Sequence, residues 1–386
     1  MLAPPAHNQV AECSRCGRTL AGAATGRIGA PLAVAGGALL LLLPAVVAPL
    51  LVVSTYGAQR ESWLTSSATA FWREGFASLA VLVAGFAIVL PAIFLGLLIW
   101  VLGNLYFGGR GPVGPVFRWT KHLRPWVMIE VYLIGSFVAY SRIKVVSTVD
   151  VGVGGWCLIA SALLLMIALI ELDERTVWEM LRPQRHEYPH GETIACTVCD
   201  FIVGAGSSTR HCPRCGAALH RRKPRSLQRT AAFVAAGYLL YIPANTLPVL
   251  TTVRFGREEH NTILSGVLEL IQNDLWPLAI IVFVASIVLP LLKLCGLTWM
   301  LLAIRVRSSR FLVGRTRLYR SIDTVGRWSN IDIFCVSVLV ALLQFGSLTA
   351  VHAGEGLVAF AAVVVITMLG TMVFDSRLMW DAAEPR

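Results

Sequence analysis

Near its middle the chain reads Cys212-Pro-Arg-Cys215-Gly216-Ala-Ala-Leu219, and 199 positions earlier it reads Cys13-Ser-Arg-Cys16-Gly17-Arg-Thr-Leu20. The same shift lays Pro44, Pro49 and Pro91 on Pro243, Pro248 and Pro290. After a three-residue slip the shift is 202. Trp126 then meets Trp328, Glu130 meets Asp332, and Asp173-Glu-Arg175-Thr-Val-Trp178 meets Asp375-Ser-Arg377-Leu-Met-Trp380. Apolar stretches match one another by chance, but Cys, Pro, Trp and charged positions coinciding at one spacing do not, so the chain reads as an internal duplication.

The sequence between these anchors is greasy. Of 386 residues 56% are hydrophobic and 14% charged, whereas a soluble domain carries about 25% charge. Composition excludes an ordinary soluble protein, a disordered chain and a disulfide-rich secreted domain, and leaves a polytopic membrane protein. A helix needs about 20 mostly apolar residues to cross a bilayer. Eight spans are expected, at 29–54, 76–103, 126–148, 153–171, 231–253, 276–303, 332–350 and 356–374. The first is too long for a signal-peptide core and lacks a clean cleavage site, so it is expected to stay in the mature protein.

The loops alternate in charge. Segment 304–330 holds seven Arg against one Asp, segment 173–229 holds ten Lys or Arg, and 104–125 holds four basic residues and no acid. On the other side Arg60 and Arg73 are balanced by Glu61 and Glu74, and Arg254 and Arg257 by Glu258, Glu259 and Asp274. This bias puts both termini and the middle segment in the cytoplasm. The net charge of +11, with 29 Arg and four Lys, belongs to those loops. Stretches such as Arg221-Arg222-Lys223-Pro-Arg225 read as topology determinants against anionic headgroups, not as a nucleic-acid interface.

The expected fold is an all-α polytopic membrane protein. It is built as two tandem repeats of four transmembrane helices, each preceded by a small cytoplasmic zinc-ribbon-like Cys module, the first incomplete. The units fall at 1–26 (partial module), 27–180 (first four helices), 181–229 (zinc ribbon and basic linker) and 230–386 (second four helices). Four spans per unit is an even number, so both units share one orientation and are related by an axis along the membrane normal.

Of nine Cys, Cys157, Cys295 and Cys335 lie in apolar spans and read as small buried hydrophobes. Cys196-x-x-Cys199 and Cys212-x-x-Cys215-Gly216, twelve residues apart, have the form of two knuckles offering four thiolates to a tetrahedral structural Zn²⁺. A reducing compartment argues against disulfides. Iron-sulfur or redox use of the pairs stays the alternative. The first module has only Cys13 and Cys16. The counterparts of Cys196 and Cys199 would fall before Met1, so no well-formed metal site is expected there unless the chain starts upstream or other ligands complete it.

Ionisable groups at bilayer depth cost about 2.5–3.5 kcal/mol on insertion scales and default to function. Lys144, Lys293, Glu130 and Asp332 meet that description, with Asn245 and Ser136 as weaker members. Glu130 and Asp332 are equivalent under the shift of 202; Lys144 and Lys293 face Gly346 and Phe94 and are not duplicated. Both lysines also read as snorkelling to an interface. Asn245 sits between Pro243 and Pro248, which break the backbone ladder and free carbonyls, or simply kink the helix. No Walker motif, zincin motif or nucleophile elbow is present, and no enzymatic activity is expected.

Several of these stretches together resemble the paraquat-inducible protein A family. They are C-x-x-C…C-P-R-C-G, His220-Arg-Arg-Lys-Pro-Arg-Ser226, Tyr241-Ile-Pro-Ala-Asn-Thr-Leu-Pro248, Gly326-Arg-Trp-Ser-Asn-Ile-Asp332 and Phe374-Asp-Ser-Arg-Leu-Met-Trp-Asp381. The resemblance covers nearly the whole chain, is specific in the second half and looser in the first, where Val46 replaces the Asn and one knuckle is missing. It implies an inner-membrane subunit of a Gram-negative envelope lipid-transport system. Such a subunit exchanges lipid with a periplasmic MCE-domain tunnel protein, and Glu130, Lys144, Lys293, Asp332, Asn245 and Ser136 would face a headgroup or carry protons. The competing functions are a membrane redox protein using the C-x-x-C pairs and a stand-alone secondary transporter of a small solute.

Overall fold

A computed structural model of the protein describes residues 11–13, 19–21, 28–55, 58–109, 111–144, 148–183, 193–204, 210–254, 257–343 and 349–383. The first half opens with a short hairpin of β1 (Ala11–Glu12) and β2 (Thr19–Ala21). Then follow α1 (Gly29–Val47), β3 (Leu51–Thr55), β4 (Ala58–Ser62), α2 (Leu64–Arg73), α3 (Ala77–Ala84) and α4 (Leu90–Tyr106). It continues through α5 (Val113–Leu123), α6 (Ile129–Lys144), β5 (Thr148–Val151), α7 (Val153–Glu171) and α8 (Glu174–Leu181). A hairpin of β6 (Thr193–Ala195) and β7 (Ile202–Gly204) leads to α9 (Ser226–Thr246), β8 (Leu250–Arg254), β9 (Arg257–Asn261), α10 (Ile263–Gln272) and α11 (Trp276–Phe283). The chain ends with α12 (Leu289–Arg305), α13 (Leu312–Val325), α14 (Ile331–Leu342), β10 (Thr349–Ala353), α15 (Glu355–Val373) and α16 (Arg377–Ala383).

Seven helices among the described residues are long and apolar enough to cross a membrane: 29–47, 77–106, 113–144, 153–171, 276–305, 312–342 and 355–373. The fifth span expected from the sequence lands on α9, which has the length but whose hydropathy is diluted by Arg229, Tyr238, Tyr241, Pro243 and Asn245.

The protein is mostly helical, yet two three-stranded antiparallel sheets correct the all-α reading, β4-β3-β5 and β9-β8-β10. The expected spans 29–54, 126–148, 231–253 and 332–350 each ran past a helix end into a strand or its approach. Runs such as Leu51-Val-Val-Ser-Thr55 are uncharged, and hydropathy alone does not separate them from a last helical turn. Their β-branched side chains favour the pleated surface. Pro supplies the stop: Ala48 N–H closes on the Pro44 carbonyl before Pro49, and Leu247 N–H closes on Pro243 before Pro248.

The elements recur at the spacings of the sequence comparison. Leu51 pairs with Ser62 and Val151, and Leu250 pairs with Asn261 and Ala353. Gly152 and Gly154 donate to the carbonyls of Leu50 and Pro49, as Gly354 and Gly356 do to Val249 and Pro248. A π-helical turn, Gly85–Val89 or Val284–Val288, precedes Pro91 or Pro290 and absorbs the missing N–H within a continuous helix. Helix α1 packs along α7, and α9 along α15. At the centre α6 packs on α14, where Tyr132 meets Phe334 edge-on at 5.4 Å between ring centroids and the Asn330 amide donates to the Met128 sulfur at 3.1 Å. In both contacts the two residues are 202 apart. Gly135 lets the helices touch, because a Cβ there would stand 2.8 Å from the Phe334 Cβ and 2.9 Å from the Ile331 carbonyl.

Candidate functional site

The four cysteines of the middle segment come together. Their sulfurs lie within 4.8 Å of one another, with Cys196 and Cys215 at 3.6 Å and Cys199 and Cys212 at 3.5 Å, and all four side chains are buried. A Zn–S length of about 2.3 Å gives a tetrahedron with edges of about 3.8 Å, so the donor set fits one tetrahedral metal and is too widely spaced for disulfides. Each knuckle is folded by its own backbone. Cys196 N–H donates to the Phe201 carbonyl and Asp200 N–H to Cys196; Cys212 N–H donates to Ala217 and Gly216 N–H to Cys212. Asp200 and Gly216, each following a second cysteine, both take the left-handed backbone that Gly and Asp tolerate. The Cys196 thiol is pushed down to about 6 by its neighbours, Cys199 first, and Cys212 is also lowered, Cys196 first; Cys199 and Cys215 are raised.

In the first module Cys13 is half-buried after β1, and Cys16 lies outside the described residues. The pairing Glu12 to Thr19 repeats the bridge His211 to Ala218 at the shift of 199.

The four-thiol module docks on the first half. Lys121 of α5 donates to the Val198 carbonyl at 2.7 Å and pairs with Glu174 of α8 at 2.9 Å, while Arg182 donates to the Pro213 carbonyl. Gly114 passes so close to the Arg214 carbonyl, 2.4 Å from where its Cβ would be, that no side chain fits. The linker after the module docks on the second half. Arg222 makes two hydrogen bonds to Asp381, and Lys223 donates through its backbone N–H to Asp375 and through Nζ to the Met372 carbonyl. Burial opposes the charge of Asp375, but hydrogen bonds from Arg377 and from Lys223 outweigh it and hold the carboxyl at about 2. Burial pulls the Lys223 ammonium down, against the pull of Asp375.

Inside the helical layer Lys293 is 2% exposed and donates from Nζ to the Gly326 carbonyl at 2.6 Å. Asp332, six residues past Gly326, accepts a hydrogen bond from Ser286, which lies in the π-helical turn before α12. Both groups thus lie between 284–305 and 326–332, but Ser286 and Lys293, which hold them, are seven residues apart on that helix. Ser286 and Asn330, both fully buried, were not singled out from the sequence. The signal was there for Asn330, inside the motif 326–332, but not for Ser286, an ordinary-looking Ser among apolar residues. Lys144 is elsewhere, exposed at the far end of α6 over the Tyr140 ring, and Glu130 sits half-buried in the first turn of α6. No ion pair among the described residues joins any two of the four. Ser136 lines a separate cavity beside α6. Asn245 donates to the Tyr241 carbonyl within a helix that runs on through Pro243 to Thr246.

The family model of paraquat-inducible protein A matches residues 28–182 and again 227–384. The chain belongs to the paraquat-inducible protein A family. Among its relatives, the "Intermembrane transport protein PqiA" of Escherichia coli strain K12 is 32% identical over 388 residues, covering 97% of this chain and 91% of that protein. The "Lipophilic envelope-spanning tunnel protein A" of the same strain is 33% identical over 291 residues, covering 75% and 68%. A "Probable intermembrane transport protein" of Haemophilus influenzae is 26% identical over 382 residues. No solved structure matches the chain. Two of the segments quoted from the sequence meet in the structure, 220–226 and 374–381, through Arg222 and Lys223.

Proposed function

We propose that this membrane protein is the inner-membrane subunit of an envelope lipid-transport system, exchanging lipid with a periplasmic MCE-domain tunnel protein. The observation that carries the reading is the double match of one family model, in a family whose relatives are named for intermembrane transport and an envelope-spanning tunnel. Its two matched segments coincide with the recurring sheet registers, caps and π-helical turns, which support two tandem four-helix units and an internal duplication, with boundaries near 26, 180 and 229. Contacts between residues 202 apart, in α6 and α14 and in the turns just before them, are what an axis running between two such units produces. The basic segments favour termini and metal module in the cytoplasm, and sheets on the periplasmic side.

In this reading the tetrathiolate holds structural zinc and locks the module against α5 and α8. Iron also accepts four thiolates, and metal analysis with an absorption spectrum separates the two. Lys293 and Asp332, with Ser286, are the polar groups in the membrane that serve transport, by carrying a proton or meeting a headgroup. The test is affinity purification of the full-length protein from envelope membranes in mild detergent. A large MCE-domain partner and phospholipid eluting together supports the assignment. A protein that elutes alone, and whose deletion leaves the envelope barrier intact, removes it.

A further inference from the structure

The first half contains a cavity of about 600 Å³ between α6, α7 and the sheet β4-β3-β5, inside the range of about 300–1,000 Å³ typical of ligand sites. Its lining is almost wholly apolar, with Leu51, Leu133 and Ile159 among the contributors. Two lining aromatics are open to the outside, Phe137 at 60% and Trp156 at 63% exposure, so the cavity opens sideways between α6 and α7. Trp at such a mouth suits the level where acyl chains give way to headgroups.

Two features call for a ligand that is not purely apolar. The Ser62 hydroxyl lines the cavity, is 1% exposed as a residue, and has no hydrogen-bond partner among the described residues. A buried hydroxyl left unpaired is costly, and a ligand acceptor relieves it. Tyr140 also lines the cavity, and the Lys144 ammonium lies 5.5 Å from its ring centroid. Positions 133, 137, 140 and 144 follow one another at helical spacings of three and four, so the cation stands on the cavity-lining face of α6, one turn beyond the last lining residue. Asp150 precedes Val151, which lines the cavity, and strand alternation turns it to the other face of the sheet.

The equivalent positions of the second half differ. Leu339 and Leu342, which stand for the exposed Phe137 and the half-buried Tyr140, are 3% and 0% exposed. Asn261, which stands for Ser62, is hydrogen-bonded to Thr252 and Ser265.

We propose that this one cavity binds a glycerophospholipid with an anionic headgroup: one acyl chain lies along α6 and α7, the Ser62 hydroxyl meets the ester region, and Lys144 meets the phosphate. The inference rests on the transport reading in taking phospholipid as cargo, and adds which half loads it and by which headgroup chemistry. The test uses the full-length protein in vesicles of phosphatidylethanolamine and phosphatidylglycerol, with a photo-crosslinking amino acid placed at Ile159 in the cavity or at Leu40, a bilayer-facing control that is 69% exposed. The expected result is lipid adducts at 159 enriched several-fold in phosphatidylglycerol over the adducts at 40. Lys144→Gln should abolish the enrichment. Leu158→Trp and Ser136→Phe, which fill the cavity, should abolish the adducts at 159 and spare those at 40, with metal content and elution profile confirming that the variants fold. Adducts at 159 that mirror the bulk lipid, or that survive in well-folded filled variants, overturn the site. Filled variants that still restore an envelope-defective strain also overturn the site and leave the transport reading standing. Expected adducts from a wild-type protein that restores nothing overturn the transport reading and leave the site.

Discussion

The two halves share sheet register, helix caps and the π-helical turn, yet they differ in where they are hollow and where they are charged. In the first half α6 stands off α7 around an open cavity, and the positions of Lys293 and Ser286 are held by Phe94 and Ala87, both buried in apolar packing. In the second half the equivalent positions Leu339 and Leu342 are buried, and Lys293 and Asp332 are buried charges. The two halves thus share backbone hydrogen bonds, which a chain in a membrane needs, while their side chains differ at the equivalent positions.

The sharpest way to break that comparison is to remove what both halves rest on. Cys199→Ser or Cys212→Ser deletes one of four ligands, and structural zinc contributes about 10–16 kcal/mol of apparent binding energy to small domains. The expected outcome is metal content falling from about one per chain to near zero, with proteolysis of the segment around α5 and α8 that Lys121 and Arg182 no longer clamp. Next in size come the buried polar groups. Lys293→Ala and Asp332→Ala should abolish rescue of an envelope-defective strain while the protein still reaches the membrane, whereas Glu130→Ala, the equivalent of Asp332 in the first half, should lose only part of it. Equal losses from Glu130→Ala and Asp332→Ala would erase the division between halves.

Smaller effects probe the seam and the linker. Gly135→Ala forces its Cβ against Phe334 and the Ile331 carbonyl, and overpacking of this kind costs about 1–3 kcal/mol. Thermal unfolding in detergent should show it, with Ser337→Ala, the equivalent position on α14, close to neutral. Asp375 has its carboxyl held at about 2 against an ordinary 3.8. Because the folded value is the lower one, the stability it contributes is complete above 3.8 and is lost as pH falls from there toward 2. Asp375→Asn should remove that acid-dependent part of the unfolding curve. The Arg222–Asp381 pair is about two-fifths exposed on each side, so Arg222→Ala should cost no more than about 1 kcal/mol.

What was readable in the sequence follows from how far each signal reaches along the chain. The four-thiol cluster was legible because its geometry is local: two C-x-x-C turns place four sulfurs with little help from the rest of the fold. The spans were legible by hydropathy, but their ends were not where Leu51–Thr55 and Leu250–Arg254 left the helix for a sheet, since uncharged β-branched residues serve both. Lys293 and Asp332 were found as charges out of place. That both are held between 284–305 and 326–332 is a matter of tertiary packing between segments about forty residues apart, which no local pattern encodes. Ser286 became visible only as the donor to Asp332, and Lys144, like Lys293 a lysine in an apolar span, stands exposed at the C-terminal end of α6.

On the proposed function, this protein moves phospholipid between the membrane and a partner. The direct measurement is transfer of a labelled phospholipid from vesicles carrying the full-length protein with its co-purified partner to acceptor vesicles. The account expects transfer well above that of protein-free vesicles, lost in Lys293→Ala. Wild-type transfer no faster than that of protein-free vesicles would contradict it.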